Sequence, residues 1–305
     1  MRYLITDIIA HGDTVKEFRL RRQDGAPLAP WQAGAHVTLR FGDFENSYSL
    51  IGEPGDAKTY RIVVQREAGG KGGSRFLHDA MAVGATLELS GPFNTFPLVP
   101  ATGRTLLIAG GIGITPMLSM AHALGRPFEL HYLAHSRERL VLLDELQVIA
   151  HATIVPHLSQ ETGRADLAAL LGPYRDGDAF YACGPAALLQ ALAQAATALG
   201  WPAQAMHFES FGARAQQGDA PLTVELTLSQ LTLDVQPGTS ILDALIAADV
   251  FVSYDCKRGE CGNCYTPVLA GEPLHRDVCL TPAMRSQGMC TCVSWAQPGR
   301  LVLEL

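Results

Sequence analysis

Cys256-Lys257-Arg258-Gly259-Glu260-Cys261-Gly262-Asn263-Cys264 sets three thiols in a C-x4-C-x2-C spacing, and Cys292 follows after 27 intervening residues. This is the ligand pattern of a plant-type [2Fe–2S] cluster. Two ferric ions, two sulfides and four thiolates carry a net charge of about −2, and about −3 after taking one electron. Sulfurs bearing that charge need backbone N–H groups aimed at them, and Gly259 and Gly262 let a short loop curl tightly enough to supply them. The competing chemistry is a structural zinc site, which usually shows two separated C-x2-C pairs; here there is one. Cys256, Cys261, Cys264 and Cys292 are therefore the expected ligands. Cys290 competes for the fourth position, Cys279 reads as a small buried hydrophobe, and Tyr254 and Asp255 read as residues that position the loop. Such a centre moves one electron at a time, so the rest of the chain must supply a donor and an exit.

Weaker signals precede the loop. Gly110-Gly111-Ile112-Gly113-Ile114-Thr115-Pro116 joins an apolar run to a helical one, a geometry in which a helix N-terminus can meet a phosphate. It is not the G-x-G-x-x-G fingerprint, and alone it equally fits a plain tight turn. Cys183-Gly184-Pro185 falls where a doubly wound sheet opens its carboxyl-end crevice. Asn46-Ser47-Tyr48-Ser49-Leu50 alone reads as an edge strand. Gly69-Gly70-Lys71-Gly72-Gly73-Ser74 reads either as a mobile turn or as a nest for a phosphate monoester. Arg137 and Arg139 read either as a solvated face or as contacts to the adenosine end of a nucleotide. The ten histidines show no metal-ligand spacing.

The elements that must position these residues divide the 305-residue chain into two or three domains. Residues 1–100 show short alternating runs, such as Val37–Phe41 and Tyr60–Val64, broken by Gly, Pro and Asp; they predict an antiparallel barrel or sandwich. A helix is expected over Ser74–Met81 with Ser74 as N-cap. Residues 101–213 alternate strand and helix: strands at Thr105–Ala109, Phe128–Ala134, Ala152–Leu158 and Ala179–Ala182, with an amphipathic helix at Thr115–Leu124 and others at Leu142–Ile149 and before Leu199. That order predicts a parallel, doubly wound sheet. Residues 214–221 read as a linker. Residues 222–305 begin with a hairpin, placed with its turn at Pro237-Gly238, followed by a helix at Ser240–Ala248 and the cysteine loop. A net charge of −7 argues against a nucleic-acid partner. The apolar run Thr105–Ala121 is too Gly-rich and short to span a bilayer, and no secretory signal is visible. Clustered cysteines without such a signal favour reduced thiols and a cytoplasmic protein.

Taken in order, Tyr48-Ser-Leu50, Gly72-Gly-Ser74, Pro92-Phe-Asn94 with Phe96-Pro-Leu98, Gly110–Ser119, Cys183-Gly-Pro185, His207-Phe-Glu-Ser-Phe211 and the cysteine loop resemble the phthalate dioxygenase reductase family. These are three-domain reductases of Rieske oxygenases, related to ferredoxin–NADP reductases with a plant-type ferredoxin fused at the C-terminus. The resemblance covers nearly the whole chain. It implies an FMN-binding antiparallel β-barrel, an α/β doubly wound nicotinamide domain and an α+β, β-grasp-like ferredoxin domain. It implies that Tyr48 packs on the flavin ring, that Ser49 hydrogen-bonds near flavin N5, and that Gly72, Gly73 and Ser74 hold the FMN phosphate. It places the nicotinamide between Thr115, Cys183 and the flavin, with the 110–116 turn and Gly184-Pro185 forming the nucleotide site. Glu209 is implied to line the transfer pocket and Phe211 to cover the ring. Where the family pattern has Arg, two residues before the Tyr, this sequence has Asn46; Lys71 or Arg75 would have to make up the lost charge-assisted contact.

The implied activity runs from NADH to FMN as hydride, then as single electrons through the cluster to a separate Rieske oxygenase component. The ring-hydroxylating and O-demethylating systems are the implied partners. The alternative acceptor is a diiron or haem monooxygenase, against which the C-terminal ferredoxin counts. A zinc-holding, non-catalytic protein and a subunit feeding a partner dehydrogenase are further alternatives. NADH is favoured over NADPH on the family pattern, although Ser136, Arg137 and Arg139 could form a 2′-phosphate site. Residues 222–305 carry nine acidic and five basic side chains, a net −4 before any cluster charge. A basic docking surface on the acceptor, weakened by salt, is the expected complement.

Overall fold

The computed structural model of the chain describes residues 1–68, 72–211 and 219–305. They form two compact units, Met1–Gly184 with Ala191–Glu209, and Pro185–Gln190 with Ser210–Leu305. Most of the expected linker, and Lys71, lie outside the described residues.

The first unit opens with an antiparallel sheet of β1 (Arg2–Ala10), β2 (Val15–Arg22), β3 (His36–Phe41), β4 (Phe44–Ser49), β5 (Tyr60–Gln65) and β6 (Thr86–Phe93). Its order is β4-β3-β6-β1-β2-β5, and a bridge between Leu50 and Ile62 joins the two ends, the barrel-like closure that alternation in the sequence predicts. Val37, Leu39 and Phe41 point inward from β3 and meet Ile5, Leu20 and Leu89 in one core; each such side chain contributes about 1.5–3 kcal/mol on burial. Helix α1 (Gly73–Ala80) starts one residue earlier than expected. Gly72, with φ +95°, occupies the N-cap position in place of Ser74, because glycine alone reaches that left-handed backbone without strain. Ser74 stands inside the first turn, and its Oγ accepts from the Glu67 amide at 3.1 Å.

Across from this core lies a charge network with no counterpart in the sequence reading. Glu17 is 1% exposed and accepts from Arg61 Nε at 2.8 Å and Nη2 at 3.1 Å, and from Arg19 Nε at 3.0 Å. Burial pushes the Glu17 carboxyl up, but the hydrogen bonds and charge of Arg61, with those of Arg19 and His11, outweigh it and hold the group at about 2. A carboxyl whose folded value is depressed stabilises the fold above its unfolded value and loses that contribution on acidification. Thermal stability of the chain is therefore expected to fall as pH drops from about 4.5 toward about 2, and Glu17→Gln should flatten that part of the profile; a scan of melting temperature against pH checks both.

The second half of this unit is a parallel sheet of β7 (Thr105–Gly110), β8 (Phe128–Ala134), β9 (Ala152–Leu158), β10 (Ala179–Cys183) and β11 (Met206–Glu209), in the order β11-β10-β7-β8-β9. Helices α2 (Ile114–Ala123), α3 (Leu143–Gln147), α4 (Ser159–Thr162), α5 (Leu167–Leu171) and α6 (Ala186–Ala198) connect the strands. Strand order reverses between β7 and β10, which is the switch point of the fold. Helix α2 is not amphipathic: every residue from Ile114 to Ala121 is buried. The sheet covers one side, while Ala33 and Phe96 pack in the same core and the Gly34 amide donates to Ser119 Oγ at 3.0 Å, so no face of this stretch is left to solvent. The expected helix at Leu142–Ile149 shortens to α3, and Leu142 turns left-handed at its start.

The second unit is α+β. Strands β12 (Leu222–Leu226), β13 (Leu231–Val235), β14 (Tyr265–Ala270), β16 (Gly288–Cys290) and β18 (Arg300–Leu303) pair as β13-β12-β18-β14-β16, and β15 (Pro273–Leu274) pairs with β17 (Trp295–Ala296). Helix α7 (Ile241–Ala247) is capped by Ser240, whose Oγ accepts from the Asp243 amide at 2.9 Å; α8 (Pro282–Arg285) is short. The β12–β13 hairpin turns between Leu226 and Leu231, not at Pro237-Gly238. Gln230 takes the left-handed conformation there, with φ +54°, so no glycine marks the turn. Asp219 and Ala220 are tied into this unit by the Arg276 ion pair and by Trp295 Nε1. Among the described residues no helix is long and apolar enough to cross a membrane.

Candidate functional site

Three groups of predicted residues are assembled by these elements. On β4, alternation puts Asn46 and Tyr48 on one face, and Asn46 Nδ2 donates to Tyr48 Oη at 3.0 Å. Burial pushes the Tyr48 phenol up to about 12, so it stays protonated. Asn46 also packs on the start of α1: a Cβ at Gly73 would stand 2.5 Å from Asn46 Nδ2. The Arg75 guanidinium lies beside Gly72, 3.4 Å from where a Cβ would be. Asn46, Tyr48, Gly72, Gly73 and Arg75 thus share one spot at a helix N-terminus, where amide N–H groups favour an anion. Ser49 is 4% exposed, and its Oγ has no hydrogen-bond partner among the described residues. A buried hydroxyl without a partner costs about 1–3 kcal/mol, which a polar ligand atom at this position would recover. The residues fit FMN: a phenol and a hydroxyl for the ring system, a glycine turn with Arg75 for the phosphate.

At the switch point, a Cβ on Gly113 would overlap the Cys183 carbonyl, so only glycine lets the turn after β7 meet the end of β10. Gly111 takes φ +56°. Cys183 pairs in register with Glu209 on β11, and both are fully buried. Gly110, Gly111, Gly113, Cys183, Gly184 and Glu209 therefore meet at the carboxyl ends of three adjacent strands. Thr115 turns back on its own loop, its Oγ1 donating to Ile112 O at 3.1 Å. Pro116 lies in the first turn of α2, where a missing N–H costs nothing. The Pro185 carbonyl accepts from the Leu188 amide at 2.9 Å. Arg137 and Arg139 flank an exposed single turn after β8. Phe211 belongs to the second unit and is 42% exposed.

In the second unit, Gly259 and Gly262 take φ +75° and +76°; a Cβ at Gly259 would fall 2.6 Å from Val293 Cγ2. This curl aims amides at sulfurs: Arg258 N donates to Cys256 Sγ at 3.3 Å and Asn263 N to Cys261 Sγ at 3.5 Å. The Gly259 amide reaches Cys292 and the Cys292 amide reaches Cys264, while the Thr291 hydroxyl donates to the Cys264 carbonyl at 3.2 Å. Hydrogen bonds from the Cys290 and Cys292 thiols hold the Cys264 thiol well below its ordinary range, and the same bonds push the Cys290 and Cys292 thiols up. The Cys290 Sγ also stands 3.8 Å from the Cys279 Sγ. Sulfurs ringed by donors in this way fit a [2Fe–2S] cluster. Glu260 accepts from the Ser210 amide. Thr291 is the contributor that the sequence did not mark, while Arg75, expected as a substitute for the missing Arg, does stand beside Gly72.

An antiparallel barrel with an anion-ready helix start, a parallel sheet with a glycine turn at its switch point, and a cysteine-loop module define a modular iron–sulfur flavoprotein reductase. The model of the 2Fe-2S iron-sulfur cluster binding domain matches residues 224–297. The chain is 40% identical over 305 residues to the phenoxybenzoate dioxygenase subunit beta of Ectopseudomonas oleovorans, covering 97% of this chain and 95% of that protein. It is 40% identical over 282 residues to the heme-dependent oxidative N-demethylase beta subunit of Ectopseudomonas mendocina, covering 91% and 90%. The solved structure of phthalate dioxygenase reductase, described as modular for electron transfer from pyridine nucleotides to [2Fe-2S], aligns at TM-score 0.75 and 34% identity over 100% of this chain and 98% of that one. The chain belongs to the phthalate dioxygenase reductase family.

Proposed function

We propose that this chain is the NADH-dependent reductase component of a Rieske-type aromatic-ring oxygenase or O-demethylase system. The observation that carries the reading is the end-to-end match to a reductase that moves electrons from pyridine nucleotides to [2Fe-2S], joined to the relationship with an oxygenase subunit. The working division is 1–100 for FMN, 101–213 for the nicotinamide nucleotide, 214–221 as linker and 222–305 for the cluster. Flavin and cluster together supply the exchange between a two-electron and a one-electron carrier. The chain's part is positional. Tyr48 and Ser49 orient the flavin ring, and Gly72, Gly73, Ser74 and Arg75 receive its phosphate. Gly110, Gly111, Gly113, Thr115, Pro116, Cys183, Gly184 and Pro185 seat the nucleotide. Glu209 lines the transfer pocket, and Phe211 keeps the role of ring cover on the resemblance alone. Cys256, Cys261, Cys264 and Cys292 hold the iron. Reduced cysteines of this kind persist in a reducing compartment, which supports a cytoplasmic location.

The isolated chain is expected to be brown and to reduce ferricyanide and cytochrome c at the expense of NADH, with a higher kcat/KM for NADH than for NADPH. A colourless protein, or one inert toward NADH, contradicts the reading. A haem-containing terminal component is the second reading. A heme-dependent N-demethylase subunit matches as well as a dioxygenase subunit does and aligns over 90% of its length, so the C-terminal ferredoxin does not separate the two. Co-purification from the source cell names the acceptor.

Asn46 sets the flavin affinity. Asn46→Arg would add a charged donor beside Gly72 and Gly73, and a hydrogen bond to a charged group contributes about 1.5–3 kcal/mol. FMN is expected to bind about 10–100-fold more tightly, read by flavin-fluorescence titration of the apoprotein. Unchanged affinity would remove Asn46 from the phosphate end of the site.

A further inference from the structure

Three cysteines remain after the cluster takes its four: Cys183 in the first unit, and Cys279 and Cys290, which stand together in the second. Cys279 Sγ and Cys290 Sγ stand 3.8 Å apart. Two sulfurs bound at about 2.3 Å to one tetrahedral ion are separated by about 3.8 Å, whereas a disulfide would require them to close to about 2.05 Å. A carboxylate oxygen of Asp277 completes a group of three ligand atoms, all within 4.8 Å of one another. Asp277 is fully buried. Its Oδ1 accepts from the Leu280 amide at 3.0 Å and from Arg285 at 3.2 Å, which fixes the carboxylate. Its Oδ2 has no hydrogen-bond partner among the described residues and faces His275 Nδ1 at 3.6 Å. Cys290 is fully buried while Cys279 is partly exposed, so one side of the group opens to solvent and gives an ion both a path and a fourth position.

We propose that Asp277, Cys279 and Cys290 form a second metal site, distinct from the cluster, for a thiophilic divalent cation such as Zn²⁺. Two thiolates and a carboxylate suit zinc in distance and ligand type. The site neighbours the cluster in sequence, Cys290 standing two residues before Cys292.

The test uses the full chain with its cluster in place. The protein is dialysed against zinc chloride under thiol reductant, desalted, and its zinc and iron are counted. One zinc per chain is expected beside two irons. Cys279→Ser is expected to weaken zinc retention by about 100-fold or more while both irons stay, and Cys290→Ser should do the same. The proposal is overturned if the wild-type chain retains no zinc, if zinc enters only as iron leaves, or if Cys279→Ser retains as much as wild type. Loss of iron in Cys290→Ser overturns it as well, because Cys290 would then belong to the cluster. If neither variant folds, the wild-type stoichiometry decides the matter.

Discussion

Cys264→Ser is expected to leave a chain that still takes electrons from NADH but no longer passes them singly. Iron content should fall from two per chain to near zero, and NADH-dependent cytochrome c reduction should drop by about 100-fold or more, since a serine hydroxyl is a poor substitute for a thiolate and outer contacts alone are worth 10–100-fold. Cys264 is 3% exposed, its sulfur takes the Cys292 amide, and its carbonyl accepts from the Thr291 hydroxyl and amide at 3.2 Å each. Ferricyanide reduction should survive, because Tyr48, Ser49 and the Gly72–Gly73 turn lie in the other unit. Iron and sulfide analysis with the two acceptor assays checks this. Equal loss of both activities would mean that the substitution unfolds more than the cluster loop.

Arg61→Ala is expected to cost about 3–5 kcal/mol, the usual penalty for leaving a buried charge without its partner. Arg61 joins Glu17 to Glu145 of α3, with Nη1 and Nη2 each 2.8 Å from the Glu145 carboxylate, and its removal leaves Glu17 buried with Arg19 and His11 alone. For a unit of about 200 residues that corresponds to a fall of roughly 6–20 °C in Tm. The double variant Arg61→Ala with Glu17→Gln should recover part of the loss, since the uncompensated charge is gone, and a double-mutant cycle in thermal unfolding measures the recovery. Strict additivity of the two substitutions would contradict the network.

What the chain discloses before folding follows from how local each feature is. The cysteine loop is legible because three of the four expected ligands sit within nine residues and the chemistry dictates their spacing. The glycine turn at 110–113 is visible as a pattern, but its reason, the contact between Gly113 and the Cys183 carbonyl, joins positions 70 residues apart. The Glu17–Arg61–Glu145 network is invisible for the same cause, its members being 44 and 84 residues apart. Helix α2 carries a sequence that suits one buried face, and only the packing of Ala33 and Phe96 in the same core shows why it can be buried on both sides. The hairpin turn was masked because Gln230 does what glycine usually does, while Pro237-Gly238 offers a stronger local signal just beyond. Asn46 was conspicuous as a missing charge; its contact with Tyr48 and Gly73 shows how the smaller side chain fills the place.

The central claim is that one chain holds both a flavin and a [2Fe–2S] cluster and couples them. An anaerobic reductive titration of the purified protein, followed by visible and electron paramagnetic resonance spectra, tests it most directly. The expected end point is three electrons per chain, two taken by the flavin and one by the cluster, with the cluster signal appearing on addition of NADH alone. An end point of two electrons or of one, or a cluster reduced only by a chemical reductant and never by NADH, would contradict it.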